Sequence, residues 1–86
     1  MDEFVIVGQR VVSEIKQCLK GQPPEVIGVV LTELSATFLA SHAPELRAEQ
    51  YELLCKAIRE LTPVIVGEMV EKGVAPEDWN DDQMLH

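Results

Sequence analysis

The chain has 86 residues, which predicts one domain with a modest core. Seven Lys and Arg residues against fifteen Asp and Glu residues give a net charge of −8. This charge argues against binding to nucleic acid or to anionic membranes, because both require a positive protein surface. A hydrophobic content of 47% is too high for a disordered chain.

The first residues and the two cysteines indicate the compartment. Acidic residues precede the first apolar run, where a secretory signal carries basic ones. The longest hydrophobic run is about six residues, whereas a membrane span needs about 20. Cys18 and Cys55 lie on different predicted helices and suit buried free thiols, although two facing helices would also permit a disulfide. We therefore expect a soluble, cytoplasmic protein.

The first predicted helix runs from Asp2 to Lys20. Its apolar residues recur at helical spacings of 7, 4 and 3, at Phe4, Val11, Ile15 and Cys18. Asp2 is suited to cap the helix, and Gly21 can adopt the positive φ that ends one. The β-branched run at residues 5–7 also fits an extended start.

The second predicted helix, from Pro24 to His42, is poor in charge and has two contrasting faces. Large apolar residues fall on one arc of the helical wheel, namely Val26, Ile27, Val30, Leu31, Leu34 and Phe38. We expect this face to be buried against the first and third helices.

The other face of the second helix is a ridge of small residues. Four of them recur every fourth position, at Gly28, Thr32, Ala36 and Ala40. Small residues at this spacing allow another helix to approach closely. Glu33 is the one charge inside the helix and borders the buried arc. It either makes a polar contact that sets register, with Arg10, Lys16 or Arg47 as possible cations, or it reaches water.

The third predicted helix covers Pro44 to Lys72, with Gly73 as its stop. Its apolar stripe consists of Tyr51, Leu54, Cys55, Ile58, Leu61, Ile65, Met69 and Val70. Pro63 either kinks this helix or divides it in two, with Thr62 capping the second part. Because the stripe keeps its phase across Pro63, we predict one kinked helix.

The acidic tail, residues 74–86, contains the single tryptophan. A helical turn there would lay Trp79 against the bundle. Alternatively, Trp79 with Asp81 and Asp82 forms a segment that binds a partner. The predicted fold is all-α: a small antiparallel bundle of three main helices in residues 1–73, the third long and kinked at Pro63, followed by this tail.

No pattern of residues indicates catalysis, a metal site or a cofactor site. His42 follows Ser41, but neighbours on a helix point about 100° apart, so they do not form a nucleophile–base pair. No Glu-x-x-His pattern of a bundle metal site occurs in the sequence. His42 is better explained as a favourable charge or a turn hydrogen bond at a helix end.

The sequence therefore predicts a non-enzymatic module for protein–protein interaction or assembly, most simply a homodimer. The expected interface residues lie on the second helix: Gly28, Thr32, Glu33, Ala36 and Ala40. An alternative is a small acidic inhibitor or regulator that covers a basic or nucleic-acid-binding surface of another protein. Such an inhibitor should gather its acids on one face, whereas the predicted helices mix Lys and Arg among them.

Overall fold

The computed structural model describes residues 2–80, and these residues form helices and turns without a β-strand. Helix α1 covers Glu3–Leu19, α2 covers Pro24–Ala40 and α3 covers Arg47–Glu71. Single 3₁₀ turns lie at Pro44–Leu46 and Glu77–Asn80. The predicted all-α fold of three main helices is confirmed.

The ends of α1 follow from local chemistry. The Asp2 carboxylate accepts a hydrogen bond from the Phe4 backbone N–H at 2.8 Å, which satisfies one of the free amide groups of the first turn. Gly21 has a φ of +82°, a conformation that costs glycine little, and the helix stops just before it. The predicted cap and stop are confirmed, and an extended start at residues 5–7 is wrong.

The chain divides into two compact units, Met1–Phe38 and Leu39–His86. The first unit contains α1 and most of α2. The second unit contains α3 and both 3₁₀ turns. Cys18 and Cys55 are free thiols in the structure.

The first unit leaves its large apolar side chains accessible. Neither α1 nor α2 has a fully buried residue. On α2, Ile27 and Val30 are half-buried, but Leu34 is 52% exposed and Phe38 is 47% exposed. The prediction that this face is buried is therefore wrong for Leu34 and Phe38. Apolar periodicity indicates that a face will be covered and does not specify which chain covers it.

Helix α3 passes through Pro63 without a break, so the prediction that Pro63 does not divide it is confirmed, and the kink at Pro63 stays a prediction. Proline has no N–H, and the Arg59 carbonyl therefore lacks its helical donor. Arg59 is exposed, which allows water to hydrate that carbonyl. The preceding Thr62 donates its hydroxyl to the Ile58 carbonyl at 2.7 Å, a bond of the kind that bends helices slightly.

The C-terminal end of α3 reverses the chain through a Schellman motif. The Val74 N–H donates to the Met69 carbonyl at 2.9 Å, and the Gly73 N–H donates to the Val70 carbonyl at 3.0 Å. Gly73 has the required positive φ, +73°. Ala75 follows this reversal and is 8% exposed. It is one of two buried hydrophobic residues in the described part of the chain.

The other buried hydrophobic residue is Val66, at 9% exposed. Both belong to the second unit, and the predicted stripe of α3 included neither of them. Along that stripe, Leu54 and Met69 are half-buried, whereas Ile58 and Leu61 are exposed. The core of the isolated chain is thus small and lies near the end of α3.

Candidate protein interface

An open groove of about 620 Å³ runs along α2. It is lined by Glu25, Gly28, Val29, Thr32, Glu33 and Ala36. The groove exists because small side chains repeat every fourth residue and so recur on one side of the helix. All its lining residues belong to α2, and a Cβ built on Gly28 would meet no atom within 4 Å. We call this surface the α2 groove.

The polar atoms of the groove floor are already satisfied within the helix. The Thr32 hydroxyl donates to the Gly28 carbonyl at 2.8 Å. A covering helix therefore does not have to supply an acceptor for this hydroxyl, and burial carries no penalty for an unpaired donor. Thr32 and the small side chain of Ala36 both line the groove.

Glu25 and Glu33 place two carboxylates along the groove. Both are exposed, and α2 itself contains no Lys or Arg. Among residues 2–80, neither carboxylate takes part in an ion pair with a cationic side chain. Glu33 therefore reaches water in the isolated chain, in agreement with the second alternative given for it above.

Comparisons with protein-family models, with curated proteins and with solved structures found no match.

The fourth member of the predicted ridge, Ala40, lies beyond the groove and belongs to the second unit. Its carbonyl accepts a hydrogen bond from Arg47 Nη2 at 3.2 Å, and Arg47 Nε donates to the His42 carbonyl at 3.2 Å. Arg47 thus satisfies two carbonyls at the negative end of α2, where a cation is favourable. This role was missed in the sequence, although a cation just after a helix end is the signal for it.

The predicted tail segment is described only in part. Trp79 lies in the 3₁₀ turn Glu77–Asn80, where its backbone N–H donates to the Pro76 carbonyl at 3.0 Å. The predicted helical turn is therefore present, and the Trp79 side chain is 50% exposed. Asp81 and Asp82 lie outside the described residues. The partner-binding role of this segment stays a prediction.

The exposed side chains of α3 include charges of both signs. A second shallow groove is lined by Glu49, Glu52, Leu53, Lys56, Arg59 and Glu60. Lys56 and Glu60 lie 4.0 Å apart as an i,i+4 pair, which is worth only a few tenths of a kcal/mol at an exposed site. Cations interrupt the acids here, so this face does not offer the concentrated negative surface that an acidic inhibitor would use.

Within residues 2–80 there is no group of three or more His, Cys, Asp or Glu side chains placed to hold a metal ion. A hydrogen bond with the Cys55 side chain raises the pKa of Tyr51, with smaller contributions in the same direction from the charge of Cys55, from burial and from Glu52. This pair lies one helical turn apart on α3.

Helix length and hydropathy indicate whether a helix can cross a membrane. In the described part of the chain, no single helix is long and apolar enough to cross one. Helix α2 and the segment Pro44–Glu71 together are long and apolar enough for a membrane span that is broken between them, judged by length and composition alone.

Proposed function

We propose that the protein is a non-enzymatic assembly module that forms a homodimer through α2, with the α2 groove at the interface. The observation that carries this proposal is the accessibility of both faces of α2. One face is the open groove, and the other exposes Leu34 and Phe38. A charge-poor helix with two accessible faces is suited to contact another protein surface.

The energetics favour association over a solvated monomer. Only Val66 and Ala75 are buried hydrophobic residues in residues 2–80, so the chain gains little from its own core. Complete burial of a Leu or Phe side chain stabilises a protein by roughly 1.5–3 kcal/mol. A second copy that covers α2 supplies this contribution, and oligomerisation is a common way in which small chains acquire stability.

The groove has the composition expected for the centre of a dimer interface. Gly28 and Ala36 let a helix backbone come close, and the Thr32 hydroxyl is internally bonded. Glu33 lies at the edge, where its carboxylate can stay in water after association. Protein interfaces usually have an apolar centre and a polar rim.

We infer a cytoplasmic location for the dimer. Both thiols are free and Cys18 is exposed. Exposed thiols persist in reducing compartments and tend to be oxidised outside them.

The test is the light-scattering mass at several protein concentrations. We expect the wild-type mass to rise towards twice the 9.6 kDa of one chain. Ala36→Glu places a charge in the groove, at its C-terminal end, and should keep the protein monomeric. Ala48→Glu is the matched control, because Ala48 is exposed in the first turn of α3, where an added acid is favourable.

The control variant should dimerise like the wild type. A wild-type monomer at every concentration would contradict the proposal. A dimer that Ala36→Glu leaves unchanged would place the interface elsewhere on the protein.

A further inference from the structure

Helix α1 has an apolar stripe that its own chain leaves accessible. Its members are exposed and follow one another at spacings of 3, 4 and 7 residues: Phe4, Val7, Val11 and Cys18. They fall within an arc of about 60° on the helical wheel. This is the spacing of a seam along which one helix packs on another. Phe4, at 86% exposed, is the most accessible large apolar residue of the described chain. We call this surface the α1 stripe.

We propose that the α1 stripe docks in the α2 groove of a second copy of the chain. In a two-fold dimer the α1 stripe of each copy then lies in the α2 groove of the other, so the same contact occurs twice. This inference rests on the proposed self-association through α2, and it names the element that fills the groove.

The two surfaces are complementary in shape. The stripe projects the side chains of Phe4, Val7 and Val11, whereas the groove is recessed at Gly28 and Ala36. At 1.5 Å per residue the groove, from Glu25 to Ala36, extends for about 17 Å and the stripe for about 21 Å, so the stripe spans it. Large side chains seated between small ones produce the interdigitation that close helix packing requires.

The first unit exposes apolar side chains on both proposed surfaces. Eleven of its large apolar side chains are between 40% and 86% exposed. Four of these belong to the proposed contact: Phe4, Val7 and Val11 of the α1 stripe and Val29 of the α2 groove. In a two-fold dimer both surfaces of each copy are covered, so these four side chains lose accessible area in each copy.

The charges favour α1 over a second α2 as the occupant. The groove has Glu25 and Glu33 and no cation on its own helix, so a second α2 would add two more carboxylates. Helix α1 instead contains two acids and two bases within Glu3–Leu19, so it adds no net negative charge, and Arg10 lies about 60° from its stripe, beyond Glu14 and Glu3 on the same side. Arg10 and Glu33 form no ion pair with any other described residue of their own chain, and the proposed dimer lets them pair across the interface.

Disulfide trapping between two differently tagged copies tests the contact. Both native cysteines are first replaced by alanine, which keeps the stripe apolar. One copy then carries Val11→Cys, and the other carries a cysteine at Gly28, Thr32 or Ala36. These three positions lie about 6 Å apart along the groove, so either direction of the docked helix brings one of them within the about 7 Å that a disulfide permits.

The expected result is a mixed disulfide between position 11 and one groove position. Disulfides between like positions, 11 with 11 or groove with groove, as the main product would overturn the inference. A dimer by light scattering that yields no mixed product would also overturn it. A wild-type monomer at every concentration is a different result, since it removes the proposed self-association itself.

Exchange of charges in the wild-type background is the second test. Arg10→Glu and Glu33→Arg should each weaken dimerisation by about fivefold, and the double variant should return to within about twofold of wild type. If the two single losses of dimer affinity multiply in the double variant, they would contradict pairing between these residues. Circular dichroism of each variant checks that the helices are retained.

Discussion

The Thr32 hydroxyl donates to the Gly28 carbonyl one turn earlier in α2, at 2.8 Å. The bond turns the polar atom of Thr32 towards its own backbone. A helix surface that looks partly polar in the sequence is thus available for apolar contact. The consequence can be measured at this one position.

Thr32→Val replaces the hydroxyl by a methyl group of similar shape and should leave the dimer dissociation constant within about threefold of wild type. Thr32→Lys, which puts a charge at the same point, should abolish dimerisation. Sedimentation equilibrium measures both. If Thr32→Val loses the dimer, the hydroxyl contacts the partner directly and the proposed groove chemistry is wrong.

Gly28 and Gly73 should respond oppositely to alanine. An added Cβ meets no atom within 4 Å at either site, but Gly28 is helical and Gly73 has a φ of +73°. In dilute solution, where the protein is monomeric, Gly28→Ala should raise the free energy of unfolding by about 0.5–1 kcal/mol. Gly73→Ala should lower it by about 1–2 kcal/mol, because left-handed backbone strains a residue with a Cβ.

Urea denaturation of both glycine variants provides the measurement. At concentrations where the wild type is dimeric, Gly28→Ala should also raise the dissociation constant, because its methyl group occupies the groove. A variant that stabilises the monomer and tightens the dimer would argue against close approach at this position.

Pro63→Ala should stabilise α3. It restores the N–H that the Arg59 carbonyl lacks and removes the ring from the helix interior, for an expected gain of about 1–3 kcal/mol. Val64→Ala, at the exposed neighbouring residue, is the control and should change stability by much less. Equal denaturation midpoints for Pro63→Ala and wild type would mean that the helix accommodates this proline without cost.

Tyr51 is the only tyrosine, so its titration can be followed by absorbance of the phenolate. The hydrogen bond with Cys55 raises its pKa above the ordinary value of 10.0. A raised pKa favours the neutral phenol in the folded chain. Its contribution to stability is therefore present below pH 10 and is lost as the pH rises through the raised pKa.

Cys55→Ala should move the Tyr51 titration back towards its ordinary value. Cys18→Ala, which removes the other thiol, should leave that titration unchanged. If Tyr51 titrates identically in all three proteins, the hydrogen bond with Cys55 is absent in solution.

The ends of the helices could be predicted because their causes are local. Asp2 caps α1 through an atom two residues away, and Gly21 and Gly73 end helices through their own backbone conformation. Continuity through Pro63 was also predictable, because the apolar phase on both sides of it agrees. Each of these features depends on a few neighbouring residues.

Burial could not be predicted in the same way. The arc containing Leu34 and Phe38 has the pattern of a buried face, yet both are about half exposed in the isolated chain. The buried residues are instead Val66 and Ala75, and burial of Ala75 follows a chain reversal at Gly73. A periodic pattern records that a face avoids water and contains no information on which element covers it.

The location of the small core implies an unusual order of protection against hydrogen exchange. In a dilute monomer, the slowest amides should lie in the second unit, around Val66 and the Schellman motif, because opening there exposes buried apolar surface. Amides of α1 and α2 should exchange quickly and slow down as the protein concentration rises, because association stabilises only the closed form. The partner would then protect the amides of the first unit, so the rigidity of that unit would depend on protein concentration.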